Sequence, residues 1–268
     1  MKKLFKGTLV VFGAIALSTL GLFAADTLQG KGGNLAQLIG SQKKALCDDG
    51  AVAMGDGDRI VCLDLYESSP ASSCPHATLK NTLESEENVS TPGCAAASVQ
   101  GVEPWTYISL AQAQRACASA GKRLPTAAEW YRIALGSEGQ TCITNAKTIQ
   151  KTGTATCIAS SGAYDAVGNA WEWIDGQVTN GTYDGRTLPN NGYVSSVDAN
   201  GIAVTSTDAP DALYGNDYLW SKTDGVYGMI RGGFYGSGDD AGLYTLNAAV
   251  PAGFAAQGVG FRCVKDVL

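Results

Sequence analysis

Eight cysteines, one histidine and two carboxylates seven positions apart are the side chains of this 268-residue chain best suited to chemistry. The cysteines are Cys47, Cys62, Cys74, Cys94, Cys117, Cys142, Cys157 and Cys263, and no pair has Cys-x-x-Cys spacing. The only histidine is His76, just after Cys74-Pro75. A Cys/His zinc site therefore lacks its ligand set. Ser-His-Asp and Cys-His catalysis both need an imidazole base, and His76 reads as a loop residue, so no catalytic residue is assigned. In "YDAVGNAWEW", the carboxylates of Asp165 and Glu172 flank the backbone oxygens of Gly168 and Ala170. Such hard oxygen donors suit calcium. The same string also reads as a tight turn whose Trp171 and Trp173 fill the core. A further stretch, "RGGFYGSGDDAGLYTLN" from Arg231 to Asn247, holds aromatics, small residues and two aspartates but no Cys, His, Lys or Glu. Those residues suit contact with a partner better than bond-making.

Positioning such groups takes a core, and a composition 45% hydrophobic supplies one, while 34 glycines call for many turns and irregular loops. The expectation is a loop-rich α+β domain. Met1 to Ala25 carries Lys2, Lys3 and Lys6 followed by "GTLVVFGAIALSTLGLFAA". This reads as a secretory signal or a membrane anchor. Leu22 and Phe23 near the Ala24/Ala25 exit argue against cleavage; Thr8, Ser18, Thr19 and three glycines argue against a strong anchor. A pilin-like leader cut after Lys6 or Gly7 would lack the acidic residue such leaders carry soon after the cut. Residues 26–45 form a linker, and 46–268 the folded domain. An even cysteine count behind an export segment favours disulfides and an extracellular or cell-surface location. Setting aside the three leader lysines leaves 16 basic residues against 25 acidic ones, a formal charge of about −9. Nucleic acid is repelled by such a field.

Along the domain, "DRIVCLDLYES" alternates as a strand does. Ser68 to Gln100 reads as a long loop stapled by a disulfide. Ser109 caps a helix with Leu110, Ala113, Cys117 and Ala120 on one face and Gly121 at its left-handed end. Thr126 and Glu129 have capping-box spacing for a second helix that turns Trp130, Ile133 and Ala134 inward and closes at Gly136. Gly176 to Tyr218 reads as turns, with strands at 228–231 and 259–264.

The strings "CLDLYE", "ISLAQAQRACASAGKRLPTAAEWYRIALG", "AYDAVGNAWEWIDG", "IRGG" and "GFRC" resemble, in this order, the signature of the formylglycine-generating enzyme and sulfatase-modifying-factor family. The resemblance spans roughly Cys47 to Cys263. It implies a C-type-lectin-like α+β fold, two main helices around small twisted antiparallel sheets, loop-rich and disulfide-stapled. It also implies a bridge from Cys117 to Cys263, worth on the order of 4 to 5 kcal/mol in the chain-entropy model, and calcium held at Asp165, Gly168, Ala170 and Glu172. A local bridge from Cys142 to Cys157 is plausible, whereas Cys47–Cys62 and Cys74–Cys94 are neighbour-joining among 105 connectivities. The family's copper enzymes use a cysteine pair between the Arg-Gly-Gly and the Gly-Phe-Arg, and its iron-dependent sister group uses several histidines. This chain has no cysteine from Phe234 to Val259 and one histidine in all, so no redox cofactor is expected and the reading is non-enzymatic.

"RGGFYGSGDDAGLYTLNAAVPAGFAAQGVGFRC" resembles more specifically the variable region of proteins diversified by retroelements, here about 231–263. Copying errors at template adenines yield codons that cannot encode Met, Trp, Gln, Lys or Glu. Those types number 38 of 268, so about 3.5 would fall by chance among the 25 residues Phe234 to Gly258; only Gln257 occurs, and it is either an unmutated position or a departure from the scheme. The resemblance implies that Phe234, Tyr235, Gly236, Ser237, Asp239, Asp240, Tyr244, Ala248, Ala249, Gly253, Phe254, Ala255 and Ala256 include tunable contact positions, with Leu243, Leu246 and Phe261 anchoring the loop. The ligand would be a macromolecule such as a surface protein. Two alternatives stay open: an inactive sulfatase-modifying-factor homologue with a fixed ligand, and, third, an active enzyme.

Overall fold

The computed structural model describes residues 46–56 and 59–267; the leader and the 26–45 linker lie outside the described residues. Reciprocal capping opens both expected helices. In α2 (Leu110–Ser119), the Ser109 hydroxyl accepts from the Gln112 N–H and the Gln112 side chain accepts from the Ser109 N–H. In α3 (Ala127–Ala134), Thr126 and Glu129 do the same, leaving Trp130, Ile133 and Ala134 buried. Gly121 and Gly136 end the two helices at φ +68° and +86°, where a side chain is disfavoured.

A third helix, α1 (Thr82–Ser90), corrects the reading of 68–100 as loop and of the fold as having two helices. Its cap is Asn81, whose side chain accepts from the Leu83 and Glu84 N–H groups. Its buried face carries polar Ser85 and Asn88, which accept from the Trp105 indole at 2.9 Å and the His76 N–H at 2.9 Å. That face therefore leaves no apolar period to read.

The rest is mostly sheet. In chain order the strands are β1 (Ala51–Asp56), β2 (Arg59–Asp64), β3 (Ser68–Pro70), β4 (Ala96–Ser98), β5 (Trp171–Thr179), β6 (Thr182–Tyr183), β7 (Arg186–Thr187), β8 (Gly192–Val197), β9 (Ala203–Thr207), β10 (Tyr218–Trp220), β11 (Val226–Arg231), β12 (Leu246–Val250), β13 (Val259–Phe261) and β14 (Val264–Val267). Nine of them form one sheet in the order β7-β6-β5-β11-β12-β10-β8-β9, with β13 also paired to β5. This large sheet is mixed, since β10–β12 and β13–β5 run parallel, whereas the sheets β1-β2-β14 and β3-β4 are small and antiparallel as expected. The stretch 176–218 contains the end of β5 and all of β6 to β9, not turns alone. A second sheet, β1-β2-β14, brings the two ends of the domain together.

Strand alternation sends Met229 and Ile230 of β11 to two different core clusters. One gathers α3 with Leu219, Leu246 and Ala248; the other gathers α2 with Trp171, Trp173, Val250 and Phe261. Four disulfides close the fold: Cys47–Cys62, Cys74–Cys94, Cys117–Cys263 and Cys142–Cys157.

Candidate binding surface

Two buried arginines hold the ends of the 231–263 interval. Arg231, the last residue of β11, donates to the carbonyls of Ala127, Asn200, Gly201 and Leu243, and its guanidinium lies 4.6 Å from the Trp130 ring centre. Burial pulls its pKa down to about 10, with Asp217 opposing that shift, so it stays charged at neutral pH. Arg262, following β13, grips Glu172 of β5 with Nε at 2.8 Å from both carboxylate oxygens and Nη2 at 2.6 Å from Oε1. Burial opposes the Arg262 charge, yet Glu172 holds its pKa above the ordinary value. The "RGG" and "GFRC" strings are therefore the two ends of a clamp.

Between them the backbone is pinned independently of most side chains. Gly232 and Gly233 turn at φ +88° and +83°, and a Cβ on either would collide with Ala166 or Ala241. The Tyr235 N–H donates to the Asn169 carbonyl at 2.9 Å, the Ala146 N–H to the Tyr235 carbonyl at 2.7 Å, and the Gly238 N–H to the Thr144 carbonyl at 2.7 Å. Leu243, Leu246 and Phe261 are buried below.

The thirteen candidate positions separate into two groups. Phe234, Ala249, Phe254 and Ala256 line an apolar groove of about 340 Å³, floored by Trp171, Ile230 and Val259 and flanked by Asn247 and Pro251. Phe254 is 44% exposed. Gly253 and Ala255 sit in the same turn, Gly253 exposed and Ala255 half-buried. Asp239 and Tyr244 instead line a polar cavity of about 640 Å³. Gly236 is exposed between them; Ser237 is half-buried and its hydroxyl accepts from the Phe234 N–H; Tyr235 reaches Gln257. Asp240 is half-buried, and its carbonyl accepts from the Thr245 hydroxyl at 2.6 Å. Ala248 is corrected: it is 0% exposed, because alternation along β12 turns it inward with Leu246, and it offers a ligand nothing.

Several aromatic residues beside the groove lie far away in sequence and were not read from it. Trp171 floors the groove, and an aromatic ladder continues from it through Trp220 (5.9 Å) and Tyr218 (4.7 Å) to Tyr193 (5.1 Å). Trp220 pairs in register with Asn247, on the sheet face opposite Leu219 and Leu246. Alternation through "DYLW" is the signal that could have shown it.

The calcium donor set does not fit. Glu172 spends both oxygens on Arg262 and on the Trp130 indole at 2.7 Å. Asp165 is buried at φ +54°, accepts from the Gly153 N–H, and leaves Oδ1 without a partner. Burial pushes its pKa up to about 6, with Glu172 adding to the shift and the Gly153 N–H and Arg262 opposing it. Glu67 accepts from Asn169 at 2.5 Å and from the Ala170 N–H at 3.0 Å; burial, then the charges of Asp165 and Glu172, hold its pKa well above the usual range. Arg262 is the cation these carboxylates surround. Trp171 and Trp173 fill the core, as the turn reading had it.

No family profile matches the sequence, and no curated protein is detectably similar to it. Among solved structures the chain is similar to a Major Tropism Determinant I1 variant (TM-score 0.47, 15% identity, 82% of this chain covered) and spans only 54% of that protein's length. It is also similar to Treponema denticola variable protein 1 (0.41, 12%, 80% of this chain and 98% of that one). A third likeness is to PvdO from Pseudomonas aeruginosa (0.42, 14%, 82% and 92%).

Proposed function

We propose that this chain is an exported, non-enzymatic binding protein of C-type-lectin-like, formylglycine-generating type, whose surface is varied by a diversity-generating retroelement. The observation that carries this reading is the groove itself. Exposed Phe254 and half-buried Phe234, Ala249 and Ala256 lie over an aromatic floor, on a backbone clamped at both ends by Arg231 and Arg262. Aromatic and small side chains give contact area at low entropy cost, and clamped ends let them change without unfolding the body. All eight cysteines are in disulfides, which leaves no thiol pair for copper and fits an oxidising compartment. The ligand is a macromolecule, and we favour a surface protein. The domain occupies 46–268, tethered or released according to the fate of the leader.

Sequencing this locus in several isolates tests the reading. Substitutions should cluster at Phe234, Tyr235, Gly236, Ser237, Asp239, Asp240, Tyr244, Ala249 and Gly253 to Ala256, while Gly232, Gly233, Leu246, Ala248, Phe261 and Arg262 stay fixed. A uniform interval would sink diversification and favour a sulfatase-modifying-factor homologue with a fixed ligand. Oxidation of a cysteine peptide with added copper should give no product; turnover would restore the enzyme reading.

A further inference from the structure

The 640 Å³ cavity differs from the groove in its chemistry and in its origin. Its acidic walls are Asp217, just before β10, Glu138, just after α3, and Asp239, in the loop; no Lys, Arg or His lines it. Asp217 is 2% exposed and accepts from the Tyr244 N–H at 2.6 Å. A Cβ on Gly242 would overlap its carboxylate, so the "AGL" glycine keeps that carboxylate in place. Ser137 lines the same cavity at 3% exposure, and its hydroxyl has no hydrogen-bond partner. A buried hydroxyl without a partner is free to accept a hydrogen bond from a bound group. The Tyr244 ring, packed on Tyr131 and Tyr214, supplies an aromatic wall. The Tyr244 phenol is pushed up to about 12, by burial first, then by its bond to Tyr131, with smaller contributions from the charges of Glu138 and Asp217.

We propose that this cavity binds a primary alkylammonium group, either a free amine or a lysine side chain. Three rotatable N–H donors match carboxylates on separate walls and a lone hydroxyl, whereas a guanidinium fork prefers two oxygens of one carboxylate. The ring of Tyr244 adds cation–π attraction to the alkylammonium. Arg231 balances part of the Asp217 charge from below, while Glu138 and Asp239 are exposed, with one Glu138 oxygen accepting from the Gly136 N–H at 2.8 Å. Ser137, Glu138 and Asp217 lie outside the variable interval and Asp239 and Tyr244 within it, so diversification would alter the rim of the site and leave its other walls unchanged.

Isothermal titration of the full chain tests this with n-butylamine, Nα-acetyl-lysine methylamide, its Nε-acetylated counterpart and calcium chloride. Both amines should bind saturably and the acetylated compound should not. Equal binding of the two amines identifies a site for free amines; preference for the lysine derivative identifies the side chain of a partner. Glu138→Gln and Asp239→Asn, both at exposed positions, should each weaken binding roughly three- to tenfold, and Ser137→Ala by a similar factor. Asp217→Asn should abolish binding, with circular dichroism reporting whether the fold survives. The proposal is overturned if a folded chain shows no saturable amine binding, if the acetylated compound binds equally, if calcium binds in place of the amines, or if Glu138→Gln and Asp239→Asn leave affinity unchanged. None of these outcomes bears on the groove, which the isolate sequences test separately.

Discussion

The groove and the cavity flank one loop and are built on opposite plans. In the groove, the 231–263 interval supplies all of the lining except Trp171 and Ile230, so replacing Phe234, Phe254 or Ala249 changes most of what a ligand meets. In the cavity, the loop supplies part of the rim, while Ser137, Glu138 and Asp217 come from segments far away in sequence. One interval thus offers a surface that variation can rewrite beside one it can only trim. What the two share is the clamp beneath them, and the predictions below separate clamp from tip.

The largest effects belong to the disulfides. Replacing Cys117 and Cys263 with alanine opens a sequence separation of 146 residues and should cost roughly 5 kcal/mol, measured by urea denaturation under oxidising conditions. Replacing Cys142 and Cys157 opens a separation of 15 and should cost roughly 3 kcal/mol. Because Cys142 lines the cavity, the second change should disturb amine binding and spare the groove. Equal disturbance of both sites would break the division between them.

Next comes the clamp. Arg262→Met leaves Glu172 buried and unpaired and should cost about 3 to 5 kcal/mol. Adding Glu172→Gln removes the stranded charge and should recover part of that loss in a double-mutant cycle. Were the single change to cost under about 1 kcal/mol, the ion pair would not be the anchor of the interval.

Acidity separates the regions next. Burial raises the pKa of Asp217 to about 7, against the Tyr244 N–H and Arg231, and that of Asp165 to about 6; Glu67 and Asp64 are raised as well. A carboxyl with a raised folded pKa binds more protons folded than unfolded. Its contribution is whole below its unfolded value near 4 and is lost as pH climbs through the folded value. Glu86, Glu129 and Asp266 are lowered and act oppositely, but only below about pH 4.5. Stability should therefore fall between pH 5 and 7.5. Asp165→Asn should flatten that slope, adding roughly 1 to 3 kcal/mol at pH 8 and about half as much at pH 5. A slope unchanged by the substitution would remove Asp165 from the account.

Much of this organisation was legible from short-range signals. Thr126 with Glu129 and Ser109 marked both helix starts because capping is local, and the ends of the interval were legible as "RGG" and "GFRC". The α1 helix escaped because its buried face holds Ser85 and Asn88. Strands β6 to β8 escaped because "TYDGRTLPNNGYVSSVDANG" is rich in turn residues and little of it is buried. The partition of the site was hidden for a different reason. Trp171, Asp217 and Ser137 reach it only through tertiary pairing, which no local pattern records. Ala248 was misplaced because a contact position and an inward strand position can both be alanine.

The smallest expected effect is the most discriminating. Phe254 is 44% exposed in the groove, whereas Trp171, 9% exposed, lies directly below. If the tip exists for contact and the floor for packing, Phe254→Ala should shift stability by no more than about 0.5 kcal/mol, while Trp171→Ala should cost about 3 kcal/mol or more. Thermal melts of the two variants decide this without any knowledge of the ligand. A Phe254→Ala cost above about 1.5 kcal/mol would mean that the exposed ring holds the loop together. A side chain needed for folding cannot be freely exchanged, and the groove would then be a fixed surface instead of a variable one.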